Sequence, residues 1–475
     1  MQKLKICLFL ACFLFQQVFA QDTHYWTNQF GTESVLMGGA VVGGTKDNSA
    51  IFYNPGSLGF IDTGSLSINA TTYQVENIKI KNALGEKKDF VNNQFGSMPL
   101  LVSGLIKSNQ KRLKIGYGLI RQIDFHFKAN ARIDQKVSLA DENESPGEEN
   151  FIGEARIDSR LTSDLLGIGM GYKLNDKLSI GLTHQFSFRS HSFSRNTLSR
   201  FFLNDSVFTL ISSNYFRSAN YFSLSYSAKF GIEWKEKKYS AGLTICTPSL
   251  GLYGSGDVSA DITANNILYN GVRIDALAND YQQKLKARYK TPFSVSAGVN
   301  WYTGRSKIGI SAQYYGAIKI YNIMQAKPAS FVRPVSLYSN LSSDQFLLLK
   351  AATNPVFNVA IGYEYKINQK YLINLGFRTN NSFYNRDLNK QFGIVPEITG
   401  WDIYHFTLGG SIKKGRNNLT LGLITAFGSD TKHEQDGNLN KPSEENLLLG
   451  SLIVTKATYS SVGLLLGYTF LFNKH

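Results

Sequence analysis

The chain has 475 residues, is rich in Gly (42), Phe (32) and Tyr (25) but poor in Pro (10), and carries a formal charge of +15. The length suits two or three soluble domains, yet no linker rich in Pro, Gly or Ser divides it, as in a large β-barrel that runs as one unit. The positive charge is scattered, without a recognition helix or an aromatic-basic platform. That pattern excludes nucleic acid as a partner and leaves exported loops beside anionic lipid headgroups as the simplest account.

Residues 1–20 read as a secretory signal. Lys3 and Lys5 precede the apolar run Ile6–Phe15, and Val18-Phe19-Ala20 forms a cleavage site. The run is too short to span a bilayer, which needs ~20 apolar residues. A lipoprotein reading through Cys12 would follow Phe9-Leu10-Ala11, a poor lipobox, and would truncate the run. Cleavage after Ala20 removes Cys7 and Cys12, so Cys246 remains alone and no internal disulfide forms.

The next stretch, Gly31–Phe60, is Gly-rich and apolar and contains Asn54-Pro55-Gly56. Pro fixes φ and Gly permits φ > 0, so this tripeptide predicts a type II turn. The apolar residues here, among them Val35, Leu36, Ile51, Phe52 and Leu58, suit either a packed plug or contact with a ligand.

From residue 63 onward, strand-like segments recur to the C-terminus. Six short polar turns lie at 108–111, 175–177, 235–238, 303–306, 368–370 and 414–418. Seven long polar connections lie at about 81–97, 132–160, 196–213, 257–280, 325–352, 386–400 and 431–456. Thirteen connections imply fourteen strands, an even number with short turns at one end and long loops at the other. The sixth strand sets Phe222, Leu224, Tyr226, Phe230, Ile232 and Trp234 on one face against Ser223, Ser225, Ser227 and Glu233 on the other. Strands 293–301 and 357–365 repeat the pattern. Several alternating runs reach ten residues, where strands of a soluble β-sandwich average about six. No later segment offers 18 uncharged apolar residues for a transmembrane helix. The expected fold is therefore all-β, a fourteen-stranded antiparallel transmembrane β-barrel.

No catalytic, metal-binding or cofactor constellation accompanies it. The seven His are dispersed, and Gly251–Gly256 matches neither a P-loop, a dinucleotide fingerprint nor a nucleophile elbow. Two long loops stand out because they are apolar: Phe201, Phe202 and Leu203 in one, and Ser343–Lys350, a short capped helix, in the other. They suit either a lid core or a ligand groove.

Met37-Gly38-Gly39-Ala40, Asp47-Asn48-Ser49-Ala50 and the Asn54-Pro55 step before Leu58 resemble the N-terminal hatch of the FadL/TodX outer-membrane transport family. That family usually has Asn-Pro-Ala where this chain has Asn-Pro-Gly. The resemblance implies a signal peptide at 1–20, a hatch inside the lumen at 21–62 and a barrel at 63–475, in the outer membrane of a Gram-negative bacterium. It implies passive, non-enzymatic transport of hydrophobic small molecules, long-chain fatty acids or similar. Phe52, Asn54, Pro55, Phe201, Phe202 and Leu203 would contact the ligand. The terminal Gly467-Tyr468-Thr469-Phe470-Leu471-Phe472 resembles the signal read by the barrel assembly machinery. Two alternatives stay open: a barrel of this type serving as a scaffold in type IX-like protein secretion, and a diffusion porin.

In the same family the third strand bends inward and opens the wall sideways. Here Leu113, Ile115, Tyr117 and Leu119 read outward, with Gly116 and Gly118 inward. Strict alternation would then put Arg121 in lipid. A β-bulge would turn Arg121 inward, bend the strand and open a gap beside the two glycines. Otherwise Arg121 snorkels at the headgroups. Pro248 and Pro292 are competing wall defects, since each removes a ladder donor.

Overall fold

The computed structural model describes residues 23–106, 110, 112–334, 342–390 and 393–472. The signal peptide expected at 1–20 lies outside the described residues, as do parts of the turn at 108–111 and of the loop at 325–352.

Alternation builds the wall. The strands, in chain order, are β1 (Ser65–Ile80), β2 (Phe90–Leu105), β3 (Leu113–Val137), β4 (Glu149–Lys173), β5 (Leu178–Phe202), β6 (Leu210–Lys235), β7 (Tyr239–Cys246), β8 (Leu250–Tyr269), β9 (Val272–Lys286), β10 (Ser294–Thr303), β11 (Ser306–Tyr315), β12 (Ile318–Met324), β13 (Val332–Arg333), β14 (Leu349–Thr353), β15 (Val356–Lys366), β16 (Tyr371–Asn380), β17 (Asp402–Lys414), β18 (Asn417–Glu434) and β19 (Val454–Leu471). Four staves are broken in two, as β7 with β8, β9 with β10, β11 with β12, and β14 with β15. With β13 a two-residue addition to β9, the wall has fourteen antiparallel staves. It closes because β19 pairs back on β1, from Ser65↔Leu471 to Ile80↔Ala457. Closure removes the edges that an open sheet would expose.

The expected facing holds along β6. Phe230 and Trp234 point outward at 50% and 43% exposure, while Ser223, Ser225 and Glu233 are buried inside. The long connections differ from the expectation. The stretches assigned to 132–160, 196–213 and 257–280 are largely strand, with hairpin tips at 138–148, 203–209 and 270–271. Phe201 and Phe202 accordingly end β5 rather than lie in a loop.

The physical reason is an inversion of polarity along each tall stave. On β3, Tyr117 and Leu119 face out and Gly116 and Gly118 face in. Above Arg121 the apolar Phe125, Phe127 and Ile133 face in, while Asp124, Lys128 and Arg132 are exposed. Apolar-out suits lipid and apolar-in suits water, so the inversion marks where the lipid band ends. The band on β3, Leu113 to Ile120, runs about 23 Å along the strand at ~3.3 Å per residue, a height of about 18 Å at the ~40° tilt of outer-membrane barrels. No helix among the described residues is long and apolar enough to cross a membrane.

Above the band the walls enclose a large apolar core. Phe127, Phe151, Phe193, Phe201, Leu203 and Ile211 meet Leu439, Leu447, Leu448 and Leu449 from the connection between β18 and β19. Ile394, Ile398 and Trp401 join from the connection between β16 and β17, and Phe331 and Phe346 stack at 4.9 Å. The capped helix expected over Ser343–Lys350 is only the single turn Ser343–Phe346, its N-cap Ser342 makes no side-chain capping bond, and Leu349 already begins β14.

Candidate functional site

Residues 23–26 start at the upper end, where Thr23 N donates to Thr399 Oγ1 and Trp26 N to Asn380 Oδ1, and the segment to residue 61 then passes through the lower half of the barrel. Its backbone bonds to inward side chains of the wall: Thr183 Oγ1 donates to Ile51 O (2.8 Å), Thr407 Oγ1 to Leu36 O (2.8 Å) and Asn300 Nδ2 to Gly44 O (2.8 Å). Ser311 Oγ accepts from Val42 N at 3.1 Å. The wall's inward Ser, Thr and Asn residues thus satisfy the irregular backbone of this segment, which would otherwise be buried with open donors and acceptors. Inward glycines serve the same end by leaving room for that backbone. A Cβ on Gly298 would lie 2.7 Å from Gly43 N, and one on Gly362 2.6 Å from Met37 O.

Within the segment, Asp47 is a brace. Its carboxylate accepts from Glu33 N, Ser34 N, Ser34 Oγ and Ser49 N at 2.9–3.1 Å. Asn48 Nδ2 reaches Ser103 O at 3.2 Å, and Glu33 pairs with Lys413 at 2.6 Å. Asn54-Pro55-Gly56 is not the expected type II turn. Pro55–Phe60 is a 3₁₀ helix with Asn54 as its N-cap, and Gly56 does not adopt a positive φ. The reason is that Asn54 Oδ1 accepts from Gly56 N (2.9 Å), while Pro at N1 has no N–H to lose. Asn54 Nδ2 donates to Val42 O (2.9 Å) and to Ile232 O of β6 (3.0 Å).

Between this segment and the upper core lies a cavity of about 130 Å³. Its apolar side is formed by Trp26, Phe30, Phe52, Ile120 and Leu165, its polar side by Gln122, Gln185, Ser225, Ser227, Lys229 and Gln313. Lys229 Nζ donates to Phe52 O, and Trp26 Nε1 donates to Gln313 Oε1 at 2.7 Å. Of the residues singled out from sequence, Phe52 lines this cavity. Asn54 and Pro55 lie below it against β5 and β6. Phe201 and Leu203 are buried in the upper core and Phe202 is half exposed outward.

The wall is incomplete beside the cavity. The β2–β3 ladder runs only from Leu105↔Gly116 to Leu101↔Ile120. Above that pair β2 bonds to β1 alone and β3 to β4 alone. Higher up, side chains replace the ladder: Asn92 Nδ2 and Gln94 Nε2 both donate to His126 O, and Lys128 N donates to Asn92 Oδ1 (3.2 Å). A slit of about six residues is left between. A Cβ added to Gly96 there would meet no atom within 4 Å. Asn28 Nδ2, from the N-terminal segment, donates to the Gln122 carbonyl on the β3 side at 3.1 Å.

Two sequence expectations for this region need correction. Gly116 and Gly118 lie inside the intact ladder, below the slit, and are small because Ile51 and Phe52 pack against them. The bulge exists, but at Gln122, one residue beyond Arg121. Arg121 stays outward, where Asp164 and Asp124 pair with it at 2.7 and 3.1 Å. That partnership at the upper edge of the lipid band removes any need to turn inward. Pro248 and Pro292 do interrupt the wall, separating β7 from β8 and preceding β10. Pro292 also lines the cavity.

The upper core is tied down by charge. Arg195 meets Asp436 at 3.0 Å, both nearly inaccessible, and Arg273 bridges Glu144 (2.7 Å) and Glu444 (2.6 Å). Burial pushes the Glu397 carboxyl, in the connection between β16 and β17, up to about 8.

No protein-family model matches this sequence, and no curated protein does. Solved structures do. The toluene transporter TodX of Pseudomonas putida superposes with a TM-score of 0.55 at 14% identity, covering 96% of this chain and 100% of its own. A FadL homologue of Pseudomonas aeruginosa gives 0.56 at 14%, covering 96% and 99%. The toluene transporter TbuX of Ralstonia pickettii gives 0.55 at 14%, covering 94% and 98%. At such identity the likeness is one of fold, shared over almost the whole length of both chains.

Proposed function

We propose that the protein is a passive channel for hydrophobic small molecules in the outer membrane of a Gram-negative bacterium. The carrying observation is that the cavity borders the end of the β2–β3 ladder, between a filled lower lumen and a capped upper one. A ligand enters from the capped upper end of the barrel. It rests against Phe52 and Ile120 and leaves sideways through the slit into outer-membrane lipid. The segment at 21–62 acts as the hatch that keeps the path from becoming a water pore. Burying a methylene is worth ~0.8 kcal/mol, so desolvation alone supplies the capture energy. The cavity is close to the ~150 Å³ that accommodates one benzene ring. A single ring therefore fits as it stands, and a long alkyl chain must extend into the slit. The fold likeness to toluene transporters supports this class. The barrel assembly machinery would read the C-terminal strand during insertion.

Photolabelling with a small aryl diazirine tests the reading. Labels are expected on Phe52, Ile120 and the β2 and β3 edges, displaced by excess toluene. Labels confined to the outer wall would refute it. A tightly co-purifying large protein in place of a small ligand would favour the secretion scaffold.

A further inference from the structure

The charge that is scattered along the sequence is gathered in space. The six short turns share the end of the barrel where β1 begins and β19 ends. Each carries an exposed cation, Arg112, Lys177, Lys237, Arg305, Lys370 and Arg416 in chain order. Two acids lie on these turns among the described residues, and both are paired: Asp176 with Lys173 at 2.7 Å, Glu236 with Lys177 at 2.5 Å. Among the described residues, Lys237, its neighbour Lys238 and Arg305 form no ion pair with a carboxylate. Just above the turns, Tyr172, Trp234, Tyr239, Trp301, Tyr365 and Tyr468 point outward at 38–50% exposure. An outward aromatic belt sits at headgroup level, so the cations stand at or just beyond it.

Above the turns at 174–177 and 236–238, the outer wall has an apolar groove of about 500 Å³ lined by Met170, Ile180, Leu182, Phe230 and Leu243. A second, of about 490 Å³, lies above 236–238 and 304–305, between Trp234, Leu243, Val299 and Ile310. Small residues leave the gaps, Gly171, Gly181 and Gly231 in the first groove and Ala241, Ala297 and Ala312 in the second, between larger outward side chains.

We propose that this end of the barrel selects anionic phospholipid of the inner leaflet. The acyl chains lie in the two grooves and the negative headgroups meet Lys237, Lys238 and Arg305. A zwitterionic lipid fills the same grooves but gains less from these cations, because its own ammonium offsets its phosphate. The inference rests on the membrane-barrel reading, not on transport.

Trp234 and Trp301 face the lipid, while Trp26 and Trp401 are buried, so tryptophan fluorescence reports this surface. The full chain is reconstituted in phosphatidylcholine bilayers containing brominated phosphatidylglycerol, and in the converse mixture. A cation at an anionic surface contributes ~1 kcal/mol, about fivefold. Quenching should therefore show phosphatidylglycerol preferred by about fivefold or more. The preference should fall toward one with Lys237→Gln, Lys238→Gln and Arg305→Gln together, and in the unaltered protein at high salt. Equal quenching by both lipids in the unaltered protein overturns the proposal, as does a preference that survives both the substitutions and the salt. Heat-modifiable electrophoretic mobility verifies that each barrel is folded. Failure to insert in any bilayer would instead refute the membrane reading.

Discussion

Replacing Asn54 by Ala tests whether the N-terminal segment closes the lumen. The side chain is fully buried and makes three hydrogen bonds, to Val42 O, Ile232 O and Gly56 N, all at 2.9–3.0 Å. Alanine supplies none. With about 1 kcal/mol for each bond as a floor, the docked state loses about 3 kcal/mol. At 1.4 kcal/mol per tenfold, the undocked population rises about a hundredfold. One of the three bonds joins segment to wall, one caps the 3₁₀ helix and one ties Asn54 to Val42 within the segment, so both the docking and the shape of the segment suffer. Asn54→Asp retains the acceptor for Gly56 and loses both donors, and should fall between. The assay is single-channel recording in planar bilayers, with barrel folding verified by heat-modifiable mobility. Asn54→Ala should open far more often than the unaltered protein, toward the conductance of a variant lacking Gly31–Phe60. If that deletion itself leaves conductance unchanged, this segment does not close the lumen. If the deletion opens the channel and Asn54→Ala does not, the docking energy lies elsewhere.

Gly96→Leu should slow toluene uptake into proteoliposomes several-fold without lowering thermal stability, since the new side chain enters open space in the slit; unchanged uptake would place the exit elsewhere. Phe201→Ser and Leu203→Ser should each destabilise the upper core by about 3 kcal/mol, while Phe202→Ser, at 53% exposure, should leave the unfolding midpoint nearly unmoved; equal losses would mean the stave does not extend as described. Glu397 is neutral when folded near pH 7. Its raised value means that the stability it lends is fully present below its usual range of about 4.5 and is lost as pH rises through about 8. Protease nicking of the upper loops should therefore increase between pH 6 and 9 and become pH-independent in Glu397→Gln; an unchanged pH profile in that variant would exclude Glu397.

The sequence by itself determined the barrel. Period-two alternation, short turns set against long connections, and runs too long for a sandwich are local properties, and they counted the staves correctly. It also marked out the stretch at 31–60, because small residues with Asn-Pro are legible as a motif. It misread the upper wall as loop. Above Arg121 the polar residues remain at every second position, but they now face water while Phe125 and Phe127 turn in. Without a third dimension, a stave whose faces exchange roles looks like a polar connection. The inward Ser, Thr and Asn were legible as polar lumen, and only the tertiary structure showed that Thr183, Asn300 and Thr407 bond to the N-terminal backbone more than a hundred residues away. The slit was equally out of reach. Whether Leu101↔Ile120 is the last pair of a ladder depends on the paths of two strands, bulged at Gln122 on one side and shifted in register near Gln74 on the other. Pairing is a relation between strands, and a single strand's residues do not contain it.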